Sequence, residues 1–579
     1  MKYRIKDTTN IKNNYGIGVL SARGIEDIPH FLNPTVEHSL QDWRDLDNIR
    51  EAQLLLADAL NVDNPKFALV VDCDVDGFTS STIIYQYLTE LSEKIKIDYY
   101  LHDGKQHGLS DICDEIIERA PYNLCIVPDA GSNDYEFIER LGEVGVKTLI
   151  LDHHLIEAST KVSNYCVIVN NQTSPKYRNK DLSGAGVTYQ FIRSLDERAG
   201  FTNYKKYIDL AALGICADMM SALSEENQYF WKEGFTHINN FFFRTLCDKQ
   251  EYSMGGVVNP TTVAFYIVPM INAMIRVGSM DEKDRLFRAF INGKELVPSN
   301  KRGAKGVMAY VAVESARECT NAKAHQDKEK QTIVDRLKIK ISNNDLLDNK
   351  VLFIRLEDDD DFPAELNGLV AMQLSTLYNR PTIVARLNSE GFVRGSARGL
   401  NQSELTSFKD FLNSTKLFEY TMGHDNAFGI SIKNSDLAKF HKIANEELAH
   451  YDFGENVYDV DFEREAYATD IKAIIFDLAQ YTNIWGQQNS EPVIAVKDLV
   501  VRADDIQVIG KNKDTLKISK NGITYIKFFA KDLINEISKY NEMQLTIVGT
   551  ANLNEWMGNI TPQILIKDMD IKEITNLSF

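Results

Sequence analysis

Residues 67–81 read FALVVDCDVDGFTSS. Five apolar residues come first, then three aspartates at alternate positions, Asp72, Asp74 and Asp76. An apolar run of that length, closed by turn residues, predicts a strand buried on both faces. In an extended segment, alternate residues point to one side, so the three carboxylates share a face. Side by side they repel one another unless a cation sits between them. Gly77 permits a tight turn into a helix, whose N-terminus carries Thr79, Ser80 and Ser81.

Outward from that stretch the pattern repeats. The runs IDYYL (97–101), LCIVPD (124–129), KTLILD (147–152) and CVIVN (166–170) recur every 20 to 30 residues. Segments of helical character, 79–93, 110–119 and 134–142, lie between them. Strand, helix, strand at this spacing predicts an α/β fold with a parallel sheet. Such sheets bind ligands at the C-terminal edge of their strands. The third strand ends in Pro128-Asp129-Ala130-Gly131 and the fourth in Asp152-His153-His154, so both bring ionisable groups to that edge. Asp218, in GICADMM, follows another apolar stretch and closes the set. Oxygen and imidazole ligands without thiolates suit Mn²⁺ or Mg²⁺ better than zinc. Six such groups can hold two ions, which a bridging carboxylate keeps ~3.5–4 Å apart for phosphoryl transfer.

The rest of the chain divides by composition. Residues 1–60 read as a helical opening segment, and 205–345 as mostly helical, with one long helix over 303–341. A second α/β module has strands VLFIRL (351–356), TIVARL (382–387) and FVRGSA (392–397). Six strand-like runs and one helix, 530–538, then predict a small barrel at the C-terminal end. The expected layout is 1–240, a parallel-sheet domain with an N-terminal extension; 241–345, a helical linker region; 346–455, the second α/β domain; and 456–579, the barrel.

With 579 residues, 44% of them hydrophobic, packed cores are expected and global disorder is excluded. At ~150 residues per domain, the length accommodates three or four domains. No run of ~18 apolar residues appears, which predicts no transmembrane helix. MKYRIKDTTN lacks the apolar core of a signal peptide. None of the seven cysteines forms a CxxC pair, which argues for a reduced, cytoplasmic setting and against a structural zinc site. A net charge of −19 excludes a chain coated with basic surface, though not a nuclease.

The motif set resembles the DHH phosphoesterase superfamily, named for the Asp-His-His seen here at 152–154. Within it, the chain is similar to the RecJ family of bacterial single-strand-specific exonucleases over nearly its whole length. RGI (23–25) and FLNP (31–34) resemble the N-terminal segment of that family, and SGAGVTYQF (183–191) its glycine-containing helix start. VPMINAMIRVG (268–278) resembles its PRxNAxGR stretch. NGLVAMQLSTLYNRPTIV (367–384), VRGSAR (393–398) and MGHDNAFG (422–429) resemble the companion DHHA1 domain, and SEPVI (490–494) and LNEWMGNITPQILIKD (553–568) the OB-type barrel.

By that resemblance Asp72, Asp74, Asp76, Asp129, His153 and Asp218 are the metal set, with Asp129 bridging. His154 meets the scissile phosphate or the leaving oxygen, and Asp152 orients the imidazoles. Asn272, Arg276, Arg394, Ser396, Arg398 and His424 handle phosphate. The family's arginine-containing loop is HDGKQHG (102–108) here, so Lys105 or His107 is expected to replace that contact. Other departures are Met270 and Ile275 in the NAxGR stretch and Met422 and Phe428 in the glycine-histidine loop. The resemblance implies a 5′→3′ exonuclease that takes single-stranded DNA to mononucleotides with Mn²⁺ or Mg²⁺, acting in repair and recombination. It also implies a monomer, with single-strand-binding protein or a helicase as partner and no membrane. The alternative is a DHH phosphodiesterase for short oligonucleotides or cyclic dinucleotides. In the barrel, Trp485, Trp556, Tyr525, Phe528 and Phe529 read as core, near Lys511, Lys513 and Lys517.

Overall fold

The computed structural model describes every residue except 105, 158, 358–361, 511, 557 and 575–579. Lys105, Lys511 and the Trp556 side chain therefore lie outside the described residues. The chain forms two compact units, one of residues 25–326 with 482–490, the other of 1–24, 327–481 and 491–579.

The first unit is built on a five-stranded parallel sheet. Its strands run in the order Lys96–Leu101, Lys66–Val71, Leu124–Pro128, Thr148–Asp152, Cys166–Asn170. Both faces are covered, which is why the strands are apolar without alternation. Phe67, Leu69, Val71, Leu124, Ile126, Leu149 and Leu151 enter one core, with the helices Val75–Leu91, Gly184–Ala199 and Ile208–Ala217. Ala68, Val70, Cys125, Val127 and Ile150 enter the other, with Cys113–Glu118 and Tyr135–Glu143. The first strand in sequence, Lys66–Val71, lies between the second and the third. The chain thus leaves it toward one side and leaves Leu124–Pro128 toward the other, which opens a crevice at their C-terminal ends.

A buried carboxylate fixes the approach to helix Gly184–Ala199. Glu226, 1% exposed, accepts hydrogen bonds from Gln41 N, Tyr177 Oη, Asn179 Nδ2 and Gln190 Nε2 at 2.8–3.0 Å. Asn171 Nδ2 donates to the carbonyls of Asn179 and Leu182. The loop before Ser183 is thereby pinned at both ends.

Three sequence expectations change. Residues 303–310 form a turn and a short strand, Met308–Tyr310, and the long helix is Val311–Asn343. Gly303 and Gly306 take positive φ, which ends helical continuation toward the N-terminus. The opening segment is not all helical, because Lys2–Ile5 is a strand paired in parallel with Val457–Val460. Trp485, expected in the barrel, is buried and belongs to the first unit through residues 482–490, where Gln228 Nε2 donates to Ile484 O. Pro260–Val277 is a helical stretch of 18 residues apolar enough to cross a membrane by length and composition; half of it is buried inside the first unit.

Besides the Lys2–Ile5/Val457–Val460 pair, the second unit holds two larger sheets among the described residues. One has the order Phe418–His424, Ala427–Lys433, Phe392–Arg398, Thr382–Leu387, Leu352–Leu356. The other is a mixed seven-stranded sheet, from Phe462–Glu465 and Val493–Arg502 through the long Glu542–Trp556 and Asn559–Glu573 strands to Ile506–Ile509. Two helices accompany it, Lys531–Ile537 as expected and Ile471–Leu478, which the sequence reading missed. Tyr525 is core, whereas Phe528 and Phe529 are 56% and 89% exposed.

Replacing Glu226 by Ala leaves four donors without their acceptor. Chemical denaturation is expected to show a loss of about 3 kcal/mol or more. Gln at 226, which keeps one acceptor oxygen, is expected to lose less.

Candidate metal centre

The crevice collects the acidic groups. Asp74 is the N-cap of helix Val75–Leu91, its Oδ1 accepting from Gly77 N at 2.9 Å. Asp76, in the first turn of that helix, faces the start of helix Gly184–Ala199. Ser183 Oγ and Ala185 N donate to its Oδ1 at 2.9 and 3.1 Å, and Gly184 N donates to its Oδ2 at 2.7 Å. A helix N-terminus so placed stabilises an anion. Asp72 is held by His107 and Gly108. Gly108 N donates to its Oδ1 at 3.0 Å, and His107 Nδ1 lies 2.6 Å from its Oδ2.

Asp129 sits on the other lip. Its backbone is left-handed, with φ of 66°, and its N–H donates to Leu151 O at 2.8 Å. Aspartate tolerates this conformation better than most residues. The carboxylate turns back over the crevice, where Oδ1 is buried without a hydrogen-bond partner. His153 Nε2 is also buried and unpartnered. It lies 3.2 Å from Asp129 Oδ1 and 3.4 Å from Asp218 Oδ2. Asp218 follows helix Ile208–Ala217 as its C-cap. Asp72, Asp74 and Asp129 likewise offer one oxygen each within 4.8 Å of one another. Thus the six residues expected as ligands converge on one crevice.

Two glycines permit that convergence. A Cβ on Gly184 would lie 2.5 Å from Asp129 Oδ1 and 2.6 Å from Asp129 Cα. A Cβ on Gly214 would crowd the Asp76 carboxylate, the Ala185 Cβ and the Thr79 hydroxyl at once.

The charges are in tension. Burial, then the charges of Asp72 and Asp76, push Asp74 up to about 6. Burial, then Asp76, Asp74 and Asp72, hold Asp129 well above the usual carboxylate range. Asp218 is raised likewise, by burial and then by Asp76 and Asp74. These are the shifts of carboxylates gathered around a place suited to a cation. The unpartnered Asp129 Oδ1 and His153 Nε2, with oxygen-rich neighbours, fit divalent Mn²⁺ or Mg²⁺.

Asp152 has a different environment. Its Oδ1 accepts from the backbone N–H of His153 and His154 at 2.7 and 3.1 Å and pairs with His154 Nδ1 at 2.8 Å; Ser132 N donates to Oδ2. Burial raises this carboxyl, but the His154 hydrogen bond, both imidazoles and Ser132 outweigh it and hold it well below the usual range. Asp152 therefore caps the strand end and also orients a ring, the ring of His154. The same hydrogen bond raises His154 to about 9, against burial. Its half-exposed ring keeps Nε2 turned away from Asp152.

Arg276, on helix Val268–Val277, is drawn down by burial and feels the charges of Asp74 and Cys73. Asn272 lies one turn before it. The departures Met270 and Ile275 are buried and serve the core. The ring of His107 is engaged by Asp72 rather than extended into solvent alone. In the second unit Arg394, Ser396 and Arg398 alternate with the buried Val393 and Ala397, so the three share the other face. Arg398 stands opposite Ala427, which stands opposite His424, so the two lie in one row of that sheet. Met422 is exposed, and Phe428 packs on Phe408 in the core.

Sequence reasoning missed His102, Ser132 and Ser183. His102 Nδ1 lies 2.7 Å from Asp111, and its buried, unpartnered Nε2 lies 3.9 Å from Asp72 Oδ1. A histidine just past the second strand, at the same sheet edge, was the available signal.

The profile described as "DHH family, N-terminal domain" matches residues 66–215, and that of the "RecJ OB domain" matches 461–568. The putative SPbeta prophage-derived single-strand DNA-specific exonuclease YorK of Bacillus subtilis (strain 168) is 36% identical, over 99% of this chain and 98% of the relative. The single-stranded-DNA-specific exonuclease RecJ of the same organism is 24% identical, over 93% of this chain and 65% of the relative. The crystal structure of RecJ in complex with Mn²⁺ from Thermus thermophilus matches with a TM-score of 0.71 at 19% identity, over 99% of this chain and 80% of that one, a likeness of fold.

Two outcomes are expected. Gly184→Ala pushes the helix start off Asp129, and calorimetric titration should show Mn²⁺ binding weakened at least ~10-fold, about 1.4 kcal/mol. Asp129→Asn removes one of the mutually repelling charges, so its metal-free Tm should rise above that of the parent, while the rise in Tm on adding Mn²⁺ largely disappears.

Proposed function

The chain belongs to the RecJ family of single-strand-DNA-specific exonucleases, within the DHH phosphoesterases, and from that premise we propose that it is a metal-dependent 5′→3′ exonuclease that hydrolyses single-stranded DNA to 5′-mononucleotides. The observation that carries the reading is the convergence of Asp129 Oδ1, His153 Nε2 and Asp218 Oδ2, two of them buried without partners, beside the Asp72–Asp74–Asp76 strand end.

Asp72, Asp74, Asp76, Asp129, His153 and Asp218 would hold two divalent ions, with Asp129 shared. When bound, the ions supply charge neutralisation across an in-line displacement and a water acidified toward neutral pH. His154, its Nδ1 fixed on Asp152, presents Nε2–H to the scissile phosphate or the departing 3′ oxygen. Its raised pKa, about 9, keeps it a proton donor at neutral pH. Arg276 brings a half-buried cation toward the phosphate, with Asn272 one turn away. Arg394, Ser396, Arg398 and His424 form the phosphate face of the second α/β domain and receive the 5′ end of the strand.

The same reading divides the chain into a catalytic domain at 1–240, a helical linker region at 241–345, a DHHA1-type domain at 346–455 and an OB-type domain at 456–579. The matched residues 66–215 and 461–568 support the first and last of these. The OB-type domain binds the single strand. A role in repair and recombination, a cytoplasmic location, a monomeric state and contact with single-strand-binding protein or a helicase belong to the same proposal. Phosphodiesterases of short oligonucleotides, the alternative, have no use for the OB domain.

Single-stranded DNA labelled at either end, digested with Mn²⁺ or Mg²⁺, tests the reading. The expected result is immediate release of a 5′-labelled mononucleotide, sparing of duplex, and no digestion by Asp129→Ala. Cleavage of dinucleotides with the long strand left intact would replace it by the alternative.

A further inference from the structure

One residue beside the centre does not match its chemistry. Cys73 stands between Asp72 and Asp74, and a thiol is foreign to a site for hard cations. Its Sγ lies 3.8 Å from both ring nitrogens of His107, and His107 Nδ1 lies 2.6 Å from Asp72 Oδ2. Asp72, Cys73 and His107 each offer a ligand atom within 4.8 Å of the others. Among the described residues no other cysteine sits in such a group.

The dimensions suit zinc. Tetrahedral Zn²⁺, with bonds of about 2.3 Å to sulfur and about 2.0–2.1 Å to nitrogen and oxygen, sets S···N near about 3.6 Å and O···N near about 3.3 Å. The first separation is met within a few tenths of an ångström. The second requires the 2.6 Å Asp72–His107 pair to open by about 0.7 Å. His107, whose side chain is 60% exposed, can turn that far and is reachable from solvent. A second feature points to the same place. His102, 3% exposed, has its unpartnered Nε2 at 3.9 Å from Asp72 Oδ1, while Asp111 fixes its Nδ1. A fourth potential ligand, the His102 imidazole, thus faces the carboxylate from the protein interior.

We propose that Asp72, Cys73 and His107 form a separate, thiophilic cation site that takes Zn²⁺. On binding, the Sγ–Zn bond replaces the S–H bond, the N–Zn bond replaces the His107 N–H held by Asp72, and both protons pass to solvent. The site shares the Asp72 carboxylate with the Mn²⁺/Mg²⁺ cluster. Zinc there draws Asp72 away from that cluster and inhibits the nuclease; this consequence, unlike the site, rests on the metal-ligand role assigned to Asp72 above. Three ligands also leave a fourth position open, so binding is reversible and a chelator restores activity.

Co²⁺ is the probe for the site, because a thiolate ligand gives it a near-ultraviolet charge-transfer band. The full-length protein, saturated with Mn²⁺, is expected to develop that band with one equivalent of Co²⁺, and Zn²⁺ should bleach it. Cys73→Ser and Cys73→Ala should lose the band yet keep the parent's Tm and Mn²⁺-supported digestion. In both variants the zinc concentration that halves digestion should rise at least ~10-fold. Absence of the band in the parent, or its survival in either variant, overturns the site. A band lost in the variants, with digestion indifferent to zinc, keeps the site and overturns the sharing of Asp72.

Discussion

Repulsion among Asp74, Asp76, Asp129 and Asp218, crowded at one edge of a parallel sheet, is the constraint on which the rest of the first unit depends. Left alone, these groups would take up protons or spread apart. The fold prevents the spreading, and the raised pKa values of Asp74, Asp129 and Asp218 record the pull toward protons that remains. Asp76 is clamped by a helix N-terminus, Asp74 is fixed as a helix cap, and Asp129 is turned inward by a left-handed backbone. Each anchor is made of neutral dipoles rather than cations, so the negative potential is held in place instead of being cancelled. A site built this way is costly without divalent ions and favourable with them.

The architecture explains where the tension is placed. The strand order opens a crevice between Lys66–Val71 and Leu124–Pro128, and the two strands deliver their aspartates to its opposite lips. The glycine-containing start of helix Gly184–Ala199 closes the crevice from behind, on a loop pinned by the buried Glu226. Histidine chemistry is divided by environment. His153 is drawn down by burial and faces the Asp129 and Asp218 carboxylates, whereas His154, on the Asp152 carboxylate, is raised. Adjacent imidazoles are thereby shifted in opposite directions, His153 down and His154 up.

Much of this was legible in the chain itself. The strands of the parallel sheet announce themselves because residues 67–71, 124–127 and 149–151 are apolar on both faces. The acidic and histidine residues are legible because they end those strands. What escaped is contact between residues far apart in sequence. The donors to Asp76 lie more than a hundred residues beyond it. The partner of strand Lys2–Ile5 is Val457–Val460, and the 482–490 segment joins the first unit rather than the barrel in whose sequence it is embedded. Local patterning reports on neighbours within a turn or a strand pair, so such pairings leave no periodic trace. His107 shows the same limit. The loop that stands where the family carries an arginine gave no sign that the His107 ring lies on Asp72.

The most direct test of the account is the anomalous signal of manganese in crystals of the protein soaked with Mn²⁺. Two peaks are predicted in the crevice, both bound by the Asp129 carboxylate, with His153 and Asp218 on one and the Asp72–Asp76 strand end completing the set. A single peak, or peaks remote from Asp129, would contradict the claim that these carboxylates are gathered to hold a pair of ions.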